Sequence, residues 1–369
     1  MRRTNHRPPA VRCLSPATRE GRPLAAAGAG LRAIRLVLAL LACLLAAAPA
    51  HADGMDYSTH PRASELLNRL RMDYGFSEAQ LQQVTAALAA AKQLPQLISQ
   101  EQKAPERVET WTQYSRRVDA ARVQAGVALL REHRDVLERA ELEYGVPPAL
   151  IAGILGIETR YGRLTGNIRV LDALATQGFE HPTRSAFFFG ELLEFFALCR
   201  DAGLDPQVPK GSYAGAMGAA QFMPSNYRRL ALDYDGDGRR DLWSLDDAIG
   251  SIANYFTHYQ PTRRWRRGEP IAVPVRPAAD HLPDGIVANT PDSLYRAGDL
   301  ERAGLRTAMK LPADTRVGVI DLNLDGDGHE YWLAFPNFYS VMTYNPRVFY
   351  AMAVTQLAQR IEAAAMPAP

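Results

Sequence analysis

Pro147-Pro148-Ala149-Leu150-Ile151-Ala152-Gly153-Ile154-Leu155-Gly156-Ile157-Glu158-Thr159-Arg160-Tyr161-Gly162 is the stretch on which the reading of this chain turns. Proline suits the first turn of a helix, so Pro147-Pro148 break the preceding chain and start a new one. Leu150, Ile151, Ile154 and Leu155 then fall on one helical face. Glu158 lies four residues after Ile154 and three after Leu155, so it projects from that same apolar face. A carboxylate there is partly desolvated, which raises its pKa and favours the protonated acid near neutrality. Such an acid in an apolar wall is what protonating a glycosidic oxygen requires. The competing reading is a buried glutamate tied up by Arg160 or another cation.

Outward from this helix, the chain before it is helical from Ala63 to about Tyr144. Ser77 and Gln80 form a capping box at the start of the helix that carries Leu81, Val84 and Leu88. After it, Ala149 to about Tyr259 is again mainly helical, with Gly-rich breaks at Gly211–Gly218 and Asp235–Gly238. From Pro270 to Trp332 the pattern shortens to strand-like runs: Ile271–Val275, Gly285–Ala288, Arg316–Ile320 and Tyr331–Leu333, with a helix expected over Ser293–Leu305. A last helix runs from about Pro346 to Ala363. The class is α+β, mainly α, with boundaries expected at residues 53–144 (N-terminal helical), 145–269 (central), 270–335 (small β-rich) and 336–369 (C-terminal).

Residues 1–52 stand apart. Arg32 and Arg35 precede the apolar run Leu36–Ala48, and Ala50-His51-Ala52 offers a small-x-small cut before Asp53. That is the pattern of a secretory signal peptide, too short to span a bilayer comfortably. It places the mature chain in the periplasm. Leu40-Leu41-Ala42-Cys43 offers a lipoprotein alternative, the only route here to a membrane anchor, but apolar residues follow Cys43 where a polar spacer belongs. With Cys13 and Cys43 removed, only Cys199 remains, within the apolar run Glu191–Cys199, where a buried thiol is the expected role. The 369 residues carry a net charge of +2 and are 22% charged, which speaks against disorder and against a basic nucleic-acid stripe. The arginines from Arg263 to Arg267 read as a solvated face, with contact to an anionic polymer as the minor reading. Zinc-peptidase, P-loop and dinucleotide fingerprints are absent.

Gly156-Ile157-Glu158-Thr159-Arg160-Tyr161-Gly162, Asp172-Ala173-Leu174-Ala175-Thr176 and Lys210-Gly211-Ser212-Tyr213-Ala214-Gly215-Ala216-Met217-Gly218-Ala219-Ala220-Gln221-Phe222-Met223-Pro224-Ser225 resemble the lytic murein transglycosylase B family. Ala248–Phe256, Asn337-Phe338-Tyr339 and Tyr344-Asn345 extend the match in order over nearly the whole mature chain. The resemblance implies a goose-lysozyme-like core over residues 145–269, completed by 336–369, with Glu158 as single general acid and base and no catalytic cofactor. It implies cleavage of the β-1,4 bond between N-acetylmuramic acid and N-acetylglucosamine, closing a 1,6-anhydro ring. Ser212, Gln221, Tyr255, Asn337, Tyr339 and Tyr344 fall at its cleft positions, with Tyr114 as a looser match. The family often carries two arginines after the Pro182 position; here the pair reads Thr183-Arg184, which leaves Arg184 alone for the substrate. The expected partners are peptidoglycan strands and, beyond them, cell-wall synthases, for a monomeric enzyme. A hydrolase of the same fold and a non-catalytic wall-binding protein are the other readings.

Asp233-Tyr234-Asp235-Gly236-Asp237-Gly238-Arg239-Arg240-Asp241 alternates oxygen ligands around glycine in the manner of an EF-hand loop, with Ser244 where the twelfth-position Glu belongs. By resemblance Asp247 completes a structural Ca2+ set of Asp233, Asp235, Asp237, the Arg239 carbonyl and Asp247. Asp321-Leu322-Asn323-Leu324-Asp325-Gly326-Asp327-Gly328 is superficially similar, but its flanks read as strands and a hairpin turn is expected.

Overall fold

A computed structural model describes residues 55–102 and 108–366; the expected leader, Cys13, Cys43 and the expected cut after Ala52 lie outside them. The N-terminal helices are α1 (Ala63–Tyr74), α2 (Glu78–Ala90), α3 (Gln96–Gln102), α4 (Trp111–Tyr114), α5 (Ala120–Glu132) and α6 (Arg134–Tyr144). The capping box forms: Gln80 N–H donates to Ser77 Oγ at 3.3 Å, and Ser77 N–H to Gln80 Oε1 at 2.9 Å. The quoted stretch is α7 (Pro148–Thr159), with Pro148 at its first position. Then follow β1 (Ile168–Arg169), α8 (Val170–Glu180), α9 (Ser185–Ala202), β2 (Lys210–Gly211), α10 (Pro224–Leu230) and α11 (Leu245–His258). Cys199, in α9, is 2% exposed, and burial pushes its thiol up to about 12, as a small core hydrophobe.

α7 is buried on nearly every side. Leu150, Ile151, Ile154 and Leu155 are at most 1% exposed, each worth about 1.5–3 kcal/mol of apolar burial. The helix packs against α5, α6 and the C-terminal helix α14 (Val348–Ala365).

The β-rich segment carries β3 (Ala272–Pro277), β4 (Tyr295–Arg296), α12 (Ala297–Arg302), β5 (Leu305–Arg306), β6 (Arg316–Asn323) and β7 (His329–Ala334), before α13 (Pro336–Tyr344). Its antiparallel sheet runs β4-β6-β7-β3-β5, with Val319 and Val273 both opposite Leu333. Side chains alternate between sheet faces with period two. Val273, Val275, Val317, Val319, Tyr331 and Leu333 build a small core of their own. Ala272, Ile320, Leu322, Trp332 and Ala334 face the main core. The sheet is therefore clamped between two apolar layers.

Two expectations fail in this segment. Gly285–Ala288 is a loop: Val287 N–H donates to the Tyr295 hydroxyl, while the Asn289 side chain bonds Asp321 through both its N–H and C=O, so an amide covers the sheet edge in place of a strand. The helix expected over Ser293–Leu305 shrinks to α12, because Tyr295–Arg296 pairs with Arg316–Val317 as β4.

Candidate active site

Glu158 occupies the last turn of α7, half-buried. The two residues just beyond that turn, Arg160 (φ 49°) and Tyr161 (φ 62°), take left-handed backbone, a cost of order 1–3 kcal/mol each that tertiary structure must hold in place. The holding contacts are visible. Thr159 is fully buried; its hydroxyl donates to Ala219 C=O at 2.9 Å and accepts from Gly162 N–H at 2.9 Å. Tyr161 hydroxyl donates to Arg122 C=O at 2.6 Å. The helix thus ends abruptly, with its final carboxylate fixed.

A hydroxyl from the far end of the chain meets that carboxylate: Tyr350, in the first turn of α14, donates to Glu158 Oε1 at 2.6 Å. Burial pushes the Tyr350 and Tyr344 hydroxyls well above their ordinary value, and the Glu158 charge adds to both shifts. Both stay neutral donors beside an acid. Tyr114, 3% exposed and packed on Trp111 and Phe349, adds a further small upward push on Tyr350. Sequence reasoning missed Tyr350; the only local signal is a polar-tipped ring in the otherwise apolar start of the last helix.

A cleft of about 1320 Å³ has Tyr344, Tyr255, Tyr259, Tyr213, Arg184 and Glu191 in its wall; Glu158 does not line it, and Tyr344, whose hydroxyl feels the Glu158 charge, is the link between them. Tyr255 is buried, donates its hydroxyl to Thr343 C=O at 2.6 Å, and stacks on Tyr259 with centroids 4.4 Å apart. Tyr344 donates to Ala220 C=O, tying the cleft to the glycine-rich loop. Arg184 lies 4.9 Å over both Phe187 and Phe188. Gln221, at φ 50°, donates to Thr165 and Gly218 carbonyls, and the Ser212 hydroxyl accepts from Ala214 and Ala216 N–H. Ser212 and Gln221 are spent on shaping the loop.

Other expected wall residues sit elsewhere. Asn337 is fully buried: its amide bonds Arg266 N–H, Arg266 C=O and Glu269 C=O at 2.7–2.8 Å, which fastens the arginine-rich loop to α13. Tyr339 is 3% exposed, its hydroxyl pressed against Gly318, where a Cβ would lie 1.8 Å away. Neither faces the large cleft. Gly215 and Gly218, in the Gly-rich break, have positive φ and face protein: a Cβ would lie 2.6 Å from Leu174 and 2.4 Å from Leu242 respectively.

Three other glutamates, Glu191, Glu194 and Glu180, are each engaged by their own partners. Glu191 is 7% exposed, and burial pushes it up while Ser225 N–H and Oγ–H, at 2.9 and 2.7 Å, pull it back. Glu194 pairs with Arg228 and accepts from the Tyr74 hydroxyl at 2.8 Å. Glu180 accepts from Tyr57 and Gln93.

The first acidic loop gathers Asp233, Asp235 and Asp237, all exposed, with ligand oxygens within 4.8 Å of one another. Hard oxygen donors around two left-handed glycines, Gly236 and Gly238, fit a Ca2+ ion. Asp247 stands apart from the three: it is fully buried, its Oδ1 accepts from Tyr234 and Asp235 N–H, and its Oδ2 accepts from Asp241 N–H. The second acidic loop is a hairpin turn, with β6 and β7 paired down to Asn323 and His329.

The chain matches the Transglycosylase SLT domain over residues 58–359. It is 38% identical over 318 residues to membrane-bound lytic murein transglycosylase B of Escherichia coli (strain K12), covering 84% of each chain. Among solved structures it is similar to catenated lytic transglycosylase SltB1 from Pseudomonas aeruginosa, with TM-score 0.76 and 39% identity over 84% of this chain and 100% of that one. It is likewise similar to the Escherichia coli lytic transglycosylase SLT35 in complex with calcium, with TM-score 0.73 and 38% identity over 84% of this chain and 96% of that one.

Proposed function

Since the chain belongs to the SLT-domain lytic transglycosylases and is a lyase of murein strands, we propose that Glu158 is its single acid–base catalyst. The observation that carries this is the pairing of one half-buried carboxylate with the Tyr350 hydroxyl, beside a cleft whose own carboxylates, Glu191 and Glu194, are engaged. A glycosidase that works through water or a covalent intermediate needs a second carboxylate facing the first. With one, the economical route is internal. Glu158 gives its proton to the oxygen leaving C1 of N-acetylmuramic acid, and the substrate's acetamido oxygen stabilises the cationic carbon. The carboxylate then accepts the proton of the 6-hydroxyl as that oxygen closes on C1, which restores the acid. Tyr350 holds the carboxylate in place through both steps. Tyr255, Tyr344 and Arg184 are the sugar and peptide contacts we assign from the cleft wall, since tyrosines offer flat faces with polar edges.

Asp233, Asp235, Asp237 and the Arg239 carbonyl form the proposed Ca2+ set, with Asp247 holding the loop from beneath through its backbone N–H groups, and the ion would brace the loop next to the Gln221 segment. The work is done in the envelope, after export through the residue 1–52 leader, on peptidoglycan and alongside the synthases that build it.

The test is mass spectrometry of peptidoglycan digested by the mature chain and by Glu158→Gln. Anhydromuropeptides from the first, and a loss of about 10²–10⁴-fold in the second, are expected. Reducing-end muropeptides would mean a hydrolase, and binding without products a wall-binding protein.

A further inference from the structure

The arginine run Arg263–Arg267 has no part in the mechanism above, yet its backbone is held unusually firmly. Ser340 hydroxyl donates to Arg263 C=O at 2.8 Å, Trp265 N–H donates to Phe256 C=O at 2.9 Å, and Trp265 indole N–H reaches Gly145 C=O at 2.8 Å. The Asn337 amide grips Arg266 at both its N–H and its C=O. Fully solvated surface needs no such anchoring. What the anchored loop builds is a second cavity, of about 260 Å³, lined by Arg263, Arg264, Arg266 and Arg316, with Tyr339 and Asp292 also in its wall. Arg263 lines the large cleft as well, so the two cavities adjoin.

Four arginines face one lining carboxylate, and their pairing is incomplete. Arg263 reaches Asp292 at 3.2 Å, and Arg266 stands 3.6 Å from Glu269. Arg316 donates only to the neutral Ser293 carbonyl, and Arg264 has no ion pair among the described residues. Planar guanidinium forks match a carboxylate in bidentate fashion, and a loop fixed beforehand loses little freedom on binding one. A strand in the cleft carries carboxylates only on its peptides once the lactyl groups are amide-linked.

We propose that this pocket is a binding site for a stem-peptide carboxylate of the glycan strand lying in the cleft. The assignment rests on the lytic transglycosylase reading and adds a second charged foothold to it.

The test compares two substrates: peptide-bearing glycan strands, and the same strands stripped of peptide by an amidase, with the freed lactyl carboxylates then capped as methylamides. Arg264→Ala/Arg316→Ala should lower kcat/KM on peptide-bearing strands about tenfold, mainly through KM, and leave stripped strands within about twofold of wild type. Arg264→Lys/Arg316→Lys should recover part of the loss by keeping charge without the fork. The single Arg264→Ala variant, an exposed side chain, guards against misfolding of the double. Unchanged turnover of peptide-bearing strands, or equal loss on both substrates, would overturn the pocket assignment while leaving the lyase intact. Wild-type protein that releases no anhydro product from either substrate would overturn the cleft reading and this proposal with it.

Discussion

Two stretches of this chain, Asp233–Asp241 and Asp321–Gly328, set acidic or amide oxygens at alternate positions before glycine, and they fold into different things. The first is followed by α11, whose first turn brings Asp247 back under the loop to take three backbone N–H groups. Tyr234 is rooted beneath it, with Arg139 3.7 Å over its ring and its hydroxyl on Glu143. Asp233, Asp235 and Asp237 each accept backbone N–H groups of the loop itself, and their carboxylates still converge within ligand distance of one another. The second loop is flanked by paired strands, so its oxygens go to local work. Asp321 takes the His329 ring at 2.6 Å, and Asp325 receives the Thr110 hydroxyl while its N–H bonds Thr112. Ligand spacing is thus shared, and the element that follows decides its use.

The sharpest way to break that contrast is to remove Asp247. Asp247→Ala leaves three N–H groups without their charged acceptor, one of them on buried Tyr234, and should destabilise the protein by about 3–5 kcal/mol in denaturant titration. A loss under 1 kcal/mol would mean the loop holds its shape without the anchor. Next comes the metal. Calcium at a hundred times its Kd should stabilise the wild type by about 2.7 kcal/mol, read as a rise of several degrees in Tm. Asp237→Ala should remove that rise, and Asp327→Ala should keep it. Melting that ignores both calcium and chelator would end the distinction between the loops. The smallest effect belongs to Asp325→Ala, which unclasps the hairpin from Thr110 at an exposed site and should cost below about 1 kcal/mol, with its calcium response intact.

What could be read locally was read well. The apolar face of α7, Pro148 at its start, the Ser77–Gln80 cap and strands β3, β6 and β7 all follow from neighbours in sequence. What could not be read depends on partners far along the chain. Nothing around Pro336-Asn337-Phe338 announces that the amide will be consumed by Arg266, 71 residues earlier. Glu191 falls on the core side of α9 because Ser225 arrives there, 34 residues later. Gly285–Ala288 has the composition of a strand, but the edge it would pair with is already capped by Asn289.

The hydrogen bond between Tyr350 and Glu158 spans 192 residues. A ribosome completes α7 long before it reaches α14, and contacts of such separation close late in folding because the intervening loop must first be ordered. The carboxylate and the hydroxyl that steadies it therefore meet only in a finished chain. Every unfinished chain carries the proposed catalytic carboxylate without its support, so a bond whose first use is geometric would also keep that residue blunt while the chain is being made.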